Sequence, residues 1–91
     1  MWTLRQSGRF KSDLKRYLNQ PGKMRALKAV LESLSSSGTV PVQNRPHALK
    51  GEWEGFMECH IQGDFLLIWR DEKTGTIILS RLGSHAELFK E

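Results

Sequence analysis

Apolar residues recur at helical spacing through the first third of the chain and crowd at strand-like density through the last. Phe10, Leu14, Tyr17 and Leu18 fall three or four apart, with Lys11, Asp13, Lys15 and Arg16 between them. That pattern predicts an amphipathic helix with the charges on its wet side. Met24, Leu27, Val30, Leu31 and Leu34 repeat the period and predict a second helix. Between them Asn19-Gln20-Pro21-Gly22 reads as a turn, with Pro21 suited to the first helical position, so the two helices run antiparallel. Ahead of them Trp2 to Arg5 is a short strand candidate, ended by Gly8.

Ser35 to Arg45, with its serine run, Gly38 and Pro41, reads as a loop leading to Pro46. Three strands are then predicted, at Glu54–Ile61, Asp64–Arg70 and Thr76–Leu82. Gln62-Gly63 reads as a two-residue hairpin turn joining the first two. Ser84 with Glu87 three residues on has the form of a capping box for a last helical turn. The expected fold is therefore α+β, in the order β-α-α-β-β-β with a short C-terminal helical turn. Two N-terminal helices pack on a mainly antiparallel four-stranded sheet.

Strand alternation then sorts the faces. A turn at Gln62-Gly63 pairs Cys59 with Leu66 and Met57 with Ile68, facing the helices, and Ile78 points the same way. It pairs His60 with Phe65 and Glu58 with Leu67 on the opposite face, which Arg81 shares. A slip of one residue would reverse the assignment.

Size and composition narrow the picture. Ninety-one residues suit one domain, taken as 1–91, with a modest core. Fourteen Lys and Arg against ten Asp and Glu leave a formal charge of +4, which favours an acidic partner such as nucleic acid. The lone Cys59 excludes an internal disulfide, argues against a cysteine zinc site and reads as a small buried residue. The polar start resembles no signal peptide, no apolar run approaches a membrane span, and a reducing cytoplasm is the expected location.

The chemistry lies in the second half, which holds all three histidines: His47, His60 and His85. Histidine is the side chain best able to exchange protons near neutral pH. With Asp64 and Arg81 on a basic open face, the set suits RNA cleavage without a metal or other cofactor. The 2′-OH must lose a proton to attack the adjacent phosphate, and the leaving 5′-oxygen must gain one. Arginine matches the phosphate oxygens between them. Phe65 or Phe89 can stack on a splayed base. Taken singly these residues have plainer readings: Asp64 as a turn carboxylate, Arg81 as a surface cation, Phe89 as a pin for the last turn, Trp53 and Trp69 as packing.

The ordered segments His47-Ala48-Leu49-Lys50-Gly51-Glu52-Trp53, Glu58-Cys59-His60-Ile61, Asp64-Phe65-Leu66-Leu67-Ile68-Trp69 and Arg81-Leu82-Gly83-Ser84-His85-Ala86-Glu87-Leu88-Phe89 closely resemble the YafQ branch of the RelE toxin superfamily. The resemblance spans nearly the whole chain. It implies a bacterial toxin of a type II toxin–antitoxin pair that enters the ribosomal A site and cuts mRNA there. Cutting in that family uses the 2′-OH and leaves a cyclic phosphate and a free 5′-OH. Residue by residue, the resemblance assigns catalysis to His47, His60, Asp64 and His85. Phe89 matches the family's C-terminal aromatic, Arg81 an arginine near the site, and Lys50 with Arg81 would contact phosphate. Phe65 stands where such proteins often carry tryptophan.

His85 is the favoured acid and Asp64 or His60 the favoured base, while His47 is left as base or backbone contact. The implied partners are an antitoxin encoded nearby, the ribosome and mRNA, with DNA reached only through the antitoxin. Two other functions compete: a non-enzymatic gyrase inhibitor like the ParE toxins, whose members lack this histidine set, and a plain RNA-binding module.

Overall fold

The computed structural model describes residues 1–89. Its elements are β1 (Thr3–Gln6), α1 (Gly8–Lys15), α2 (Pro21–Ser37), β2 (His47–Ala48), β3 (Met57–Gln62), β4 (Phe65–Asp71), β5 (Thr76–Gly83) and α3 (His85–Leu88). The second helix and the capped last turn appear where the pattern puts them, whereas α1 ends at Lys15, short of Tyr17 and Leu18, and Leu18 is exposed rather than on a packed face. Ser7 caps α1 by accepting from the Phe10 N–H, and Pro21 opens α2. Ser84 and Glu87 form a reciprocal capping box on α3. α2 outlasts the predicted stripe, taking in the serines to Ser37 and ending at Gly38. There φ is +74°, and a Cβ would sit 2.6 Å from the Trp2 ring, so only glycine fits.

The sheet has five strands, not four, in the order β1-β5-β4-β3-β2. β1 pairs with β5 in parallel, and the other neighbours are antiparallel. The added strand, His47–Ala48, lies beside Glu58 and Met57. Two residues are too short for alternation to show.

The register differs from expectation by one residue. Gln62 pairs with Phe65 across a Gly63-Asp64 turn, Cys59 pairs with Leu67, and His60 with Leu66. Gly63 takes φ +56° at the first loop position, a conformation that suits glycine. β3 keeps its expected faces, but every β4 side chain is reversed. Phe65, Leu67 and Trp69 pack under the helices with Phe10, Tyr17, Leu27, Val30 and Leu34. Leu66 and Ile68 face the other way and join Leu88, Leu49, Trp53, Phe56 and Phe89 in a second, smaller cluster. All five residues Phe65–Trp69 are at most 3% exposed, so β4 carries no polar–apolar alternation from which to choose a face. Ile78 is corrected too: Ile77 and Leu79 enter the helix-side core, and Ile78 lines the opposite side.

The second cluster anchors α3. A buried aliphatic side chain is worth roughly 1.5–3 kcal/mol, and Leu66 and Ile68 are fully buried beneath Leu88. Glu87 adds a polar tether from α3 to the turn that follows α1: its carboxylate accepts from the Tyr17 hydroxyl and lies 3.5 Å from Arg16. Burial, then this bond, pushes the Tyr17 phenol up to about 12, while the Tyr17 and Ser84 donors hold the Glu87 carboxyl below its usual range.

Candidate active site

The β3–β4 turn and the α3 N-terminus meet on the face away from α1 and α2. Asp64, at the tip of the turn, accepts from the His85 backbone N–H at 3.1 Å and from His85 Nδ1–H at 2.9 Å, both at Oδ1. Those two donors hold its carboxyl below the usual carboxylate range, although the side chain is 62% exposed. Because a carboxylate only accepts, His85 must carry its proton on Nδ1, which leaves Nε2 for other work.

His60 is set in the same way. Its Nδ1–H donates to the Gly63 carbonyl at 3.1 Å, again leaving Nε2 unengaged. The His60 and His85 rings stand with centroids 5.9 Å apart. The Gly63-Asp64 turn thus orients both imidazoles: Gly63 through its carbonyl and Asp64 through its carboxylate. The backbone at His60 is pinned by Asn44, whose amide donates to the His60 carbonyl at 2.8 Å.

His47 stands apart from that pair on the same face. It lies opposite Glu58, one strand alternation from His60, or roughly 7 Å along β3. Its Nε2 is 3.2 Å from Glu58 Oε1 and its Nδ1 is 3.0 Å from the Arg45 carbonyl. Both ring nitrogens therefore face acceptors. The Glu58 side chain is buried, and His47 is its ion-pair partner. Sequence reasoning placed Glu58 on this face but gave it no role, because its partner sits on the unforeseen β2.

Phe89 joins the group: its ring centroid is 5.9 Å from His85 and 5.8 Å from Trp53. Lys50 is exposed, at the start of the Gly51–Trp53 helical turn. Two expected substrate contacts lie elsewhere. Phe65 is 2% exposed and packs 4.7 Å from Tyr17 in the main core, so it cannot stack on a base. Arg81 sits opposite Ile68, but its guanidinium turns to buried Asp13. Nε donates to Oδ2 at 2.8 Å and Nη2 to Oδ1 at 3.3 Å, while the Leu82 N–H donates to the same carboxylate at 2.9 Å. Asp13, read as a solvated helix charge, is a core residue. The missed signal was the acid at the α1 position that faces β5.

Among the described residues no three His, Cys, Asp or Glu side chains are grouped to hold a metal ion, and no helix is long and apolar enough to cross a membrane. Cys59 is fully buried, and burial, then the Glu58 charge, pushes its thiol up to about 12.

An exposed Asp–His dyad thus stands beside a second oriented imidazole on a small basic α+β scaffold. Residues 2–90 match the family described as the bacterial toxin of type II toxin-antitoxin systems, YafQ, and the chain belongs to that family. The mRNA interferase toxin YafQ of Escherichia coli K12 is 29% identical over 85 residues, spanning 91% of this chain and 90% of that protein. A YafQ protein of Haemophilus influenzae is 39% identical over 51 residues, 53% of this chain, and the match spans about half of that relative's length, 50%. Among solved structures, a copper-bound mutant toxin from Helicobacter pylori superposes with a TM-score of 0.87 at 36% identity, covering 98% of this chain and all of that one, 100%. The toxin fold in the E. coli DinJ–YafQ toxin–antitoxin complex superposes at 0.83 with 27% identity, covering 97% of each chain. The chain is thus a YafQ-like type II toxin with helices packed on a five-stranded sheet.

Proposed function

We infer that this toxin is an endoribonuclease that cuts mRNA in the ribosomal A site by acid–base chemistry of its own side chains. The observation that carries the reading is the pair of imidazoles 5.9 Å apart, each with Nδ1 engaged and Nε2 unengaged. His60 Nε2 takes the proton of the 2′-OH, whose oxygen attacks the adjacent phosphorus. The bond to the 5′-oxygen breaks, and His85 Nε2–H gives that oxygen a proton. The products are a 2′,3′-cyclic phosphate and a 5′-OH. Asp64 holds the His85 tautomer and compensates the imidazolium charge, as a triad carboxylate does for its histidine. It is therefore the orienting group rather than the base. His47, held by Glu58 and the Arg45 carbonyl, helps position the RNA backbone, and Lys50 adds a cation at the rim. Phe89 stacks on a base.

A cognate antitoxin is the expected partner, as DinJ is crystallised with YafQ in the relative, and the cytoplasm the expected location. The scaffold behaves as one domain. The histidine set favours this reading over gyrase inhibition, which uses no proton transfer.

The test is a translating extract programmed with a defined message, with 5′-OH ends mapped. Wild type gives codon-phased ends. His85→Ala and His60→Ala each lose about 10²–10⁴ in rate, and Asp64→Asn, which keeps the ring but favours the wrong His85 tautomer, loses a comparable factor. Cutting by His85→Ala at the wild-type rate would refute the assignment, as would intact messages alongside gyrase-cleaved DNA.

A further inference from the structure

Beside the histidine site lies a cleft of about 500 Å³ between the β1–α1 junction, the Trp53–Phe56 segment and the outer face of β4 and β5. Arg9, Arg70 and Arg81 line it together with Trp53 and Phe56. Arg81 is committed to Asp13. Arg70 is ion-paired through Nε with Glu72 at 2.6 Å, its guanidinium carbon lies 5.4 Å from the Phe56 ring centroid, and its two Nη groups have no hydrogen-bond partner among the described residues. Arg9 is exposed and takes part in none of the ion pairs among the described residues.

The cleft is continuous with the proposed scissile centre. His60, His85, Phe89, Trp53, Phe56 and Arg70 form an unbroken series of ring contacts, each between 5.3 and 5.9 Å. Exposed cations alternating with aromatic faces are the means by which proteins hold single-stranded nucleic acid: the cations track phosphates and the rings take bases. An acidic peptide would meet the arginines but leave the aromatic walls unused.

We propose that this cleft seats the nucleotide neighbouring the scissile linkage, with its phosphate on Arg9 and Arg70 and its base against Trp53 and Phe56. The proposal rests on the nuclease reading for the placement of the strand, but its test does not depend on cutting.

The probe is a short, labelled single-stranded RNA carrying 2′-deoxyribose at every position able to react. With no nucleophile present, anisotropy reads binding alone. Arg9→Ala and Arg70→Ala should each weaken binding about tenfold, as for one charge-assisted hydrogen bond. Each should also flatten the slope of log K against log salt by about 0.7. Arg9→Lys and Arg70→Lys should restore the slope. Trp53→Leu should weaken binding about tenfold while Trp53→Phe retains it. Arg25→Ala, on the exposed face of α2, should change neither affinity nor slope beyond the loss of one remote charge. An Arg9→Ala/Arg70→Ala variant that binds the RNA with wild-type affinity and slope overturns the proposal. So does a variant that loses only a polyglutamate peptide while keeping the RNA. If the cleft binds as described and translated messages stay intact, the cleft stands and the nuclease reading falls.

Discussion

Replacing Asp13 with alanine should be the most damaging change outside the apolar core. The carboxylate is 4% exposed and is reached by three donors, two from Arg81 and one from the Leu82 backbone. Its removal leaves a guanidinium whose side chain is 16% exposed without its counter-charge, and orphans a backbone N–H. Breaking a buried ion pair from one side costs about 3–5 kcal/mol. The partial exposure of Arg81 puts the expected loss near the lower end, at about 3 kcal/mol. That is a large share of the roughly 5–15 kcal/mol that holds a domain together. It should lower Tm by about 15 °C for a chain of this size, and the urea midpoint by about 1.5 M. A cycle of Asp13→Ala, Arg81→Ala and the double variant should be strongly non-additive, with a coupling of about 2 kcal/mol. If Asp13→Ala lies within about 0.5 kcal/mol of wild type, the pair behaves as a surface ion pair and the reasoning fails. Strict additivity of the two single changes would refute it as well. Activity lost in Arg81→Ala must accordingly be judged against the folded fraction before any phosphate contact is credited.

Acid should weaken the fold through the two carboxyls held low. Asp64 and Glu87 both titrate lower folded than unfolded, so their stabilisation is present above the ordinary carboxylate range of about 4 and is lost as pH falls through their folded values. Urea midpoints should drop across that window, and Asp64→Asn with Glu87→Gln should flatten the drop; an acid limb unchanged by both substitutions would count against the paired geometry. Tyr17 is the chain's one tyrosine, and with its phenol pushed up to about 12 the native protein should show almost no tyrosinate absorbance at about pH 10, where a free phenol is half ionised. Half-ionisation there with the fold intact would mean that Tyr17 is neither buried nor tethered to Glu87 as described.

Local patterns made much of this molecule legible before any coordinates. The 3.6-residue periods of α1 and α2, Pro21 at the α2 start and the Ser84–Glu87 box are decided by contacts within a few residues of each other, so sequence spacing suffices to find them. The turn that sets the site was legible only in part: a hairpin was expected at Gln62-Gly63 but lies at Gly63-Asp64, and the contact of Asp64 with His85, 21 residues on, is made by the hairpin running up against the capped helical turn. Residue type and order nominated His85 and Asp64, and the fold brings the two side chains together.

Tertiary packing decided the rest. β4 is apolar from Phe65 to Trp69, so its face could not be chosen by alternation, and burial of Phe65 beside Tyr17 and of Leu66 and Ile68 beneath α3 settled it. The partners of Asp13 and Glu58 lie across the fold on Arg81 and His47, one 68 residues away in sequence and the other on a two-residue edge strand. Desolvation makes such charges seek one another, and no local pattern records where a distant partner will be. The chain order thus determined which groups were available and that a hairpin turn carries them, while its register was set by the packing of β4. Only the packed sheet determined which were spent on holding the fold and which were left facing the solvent.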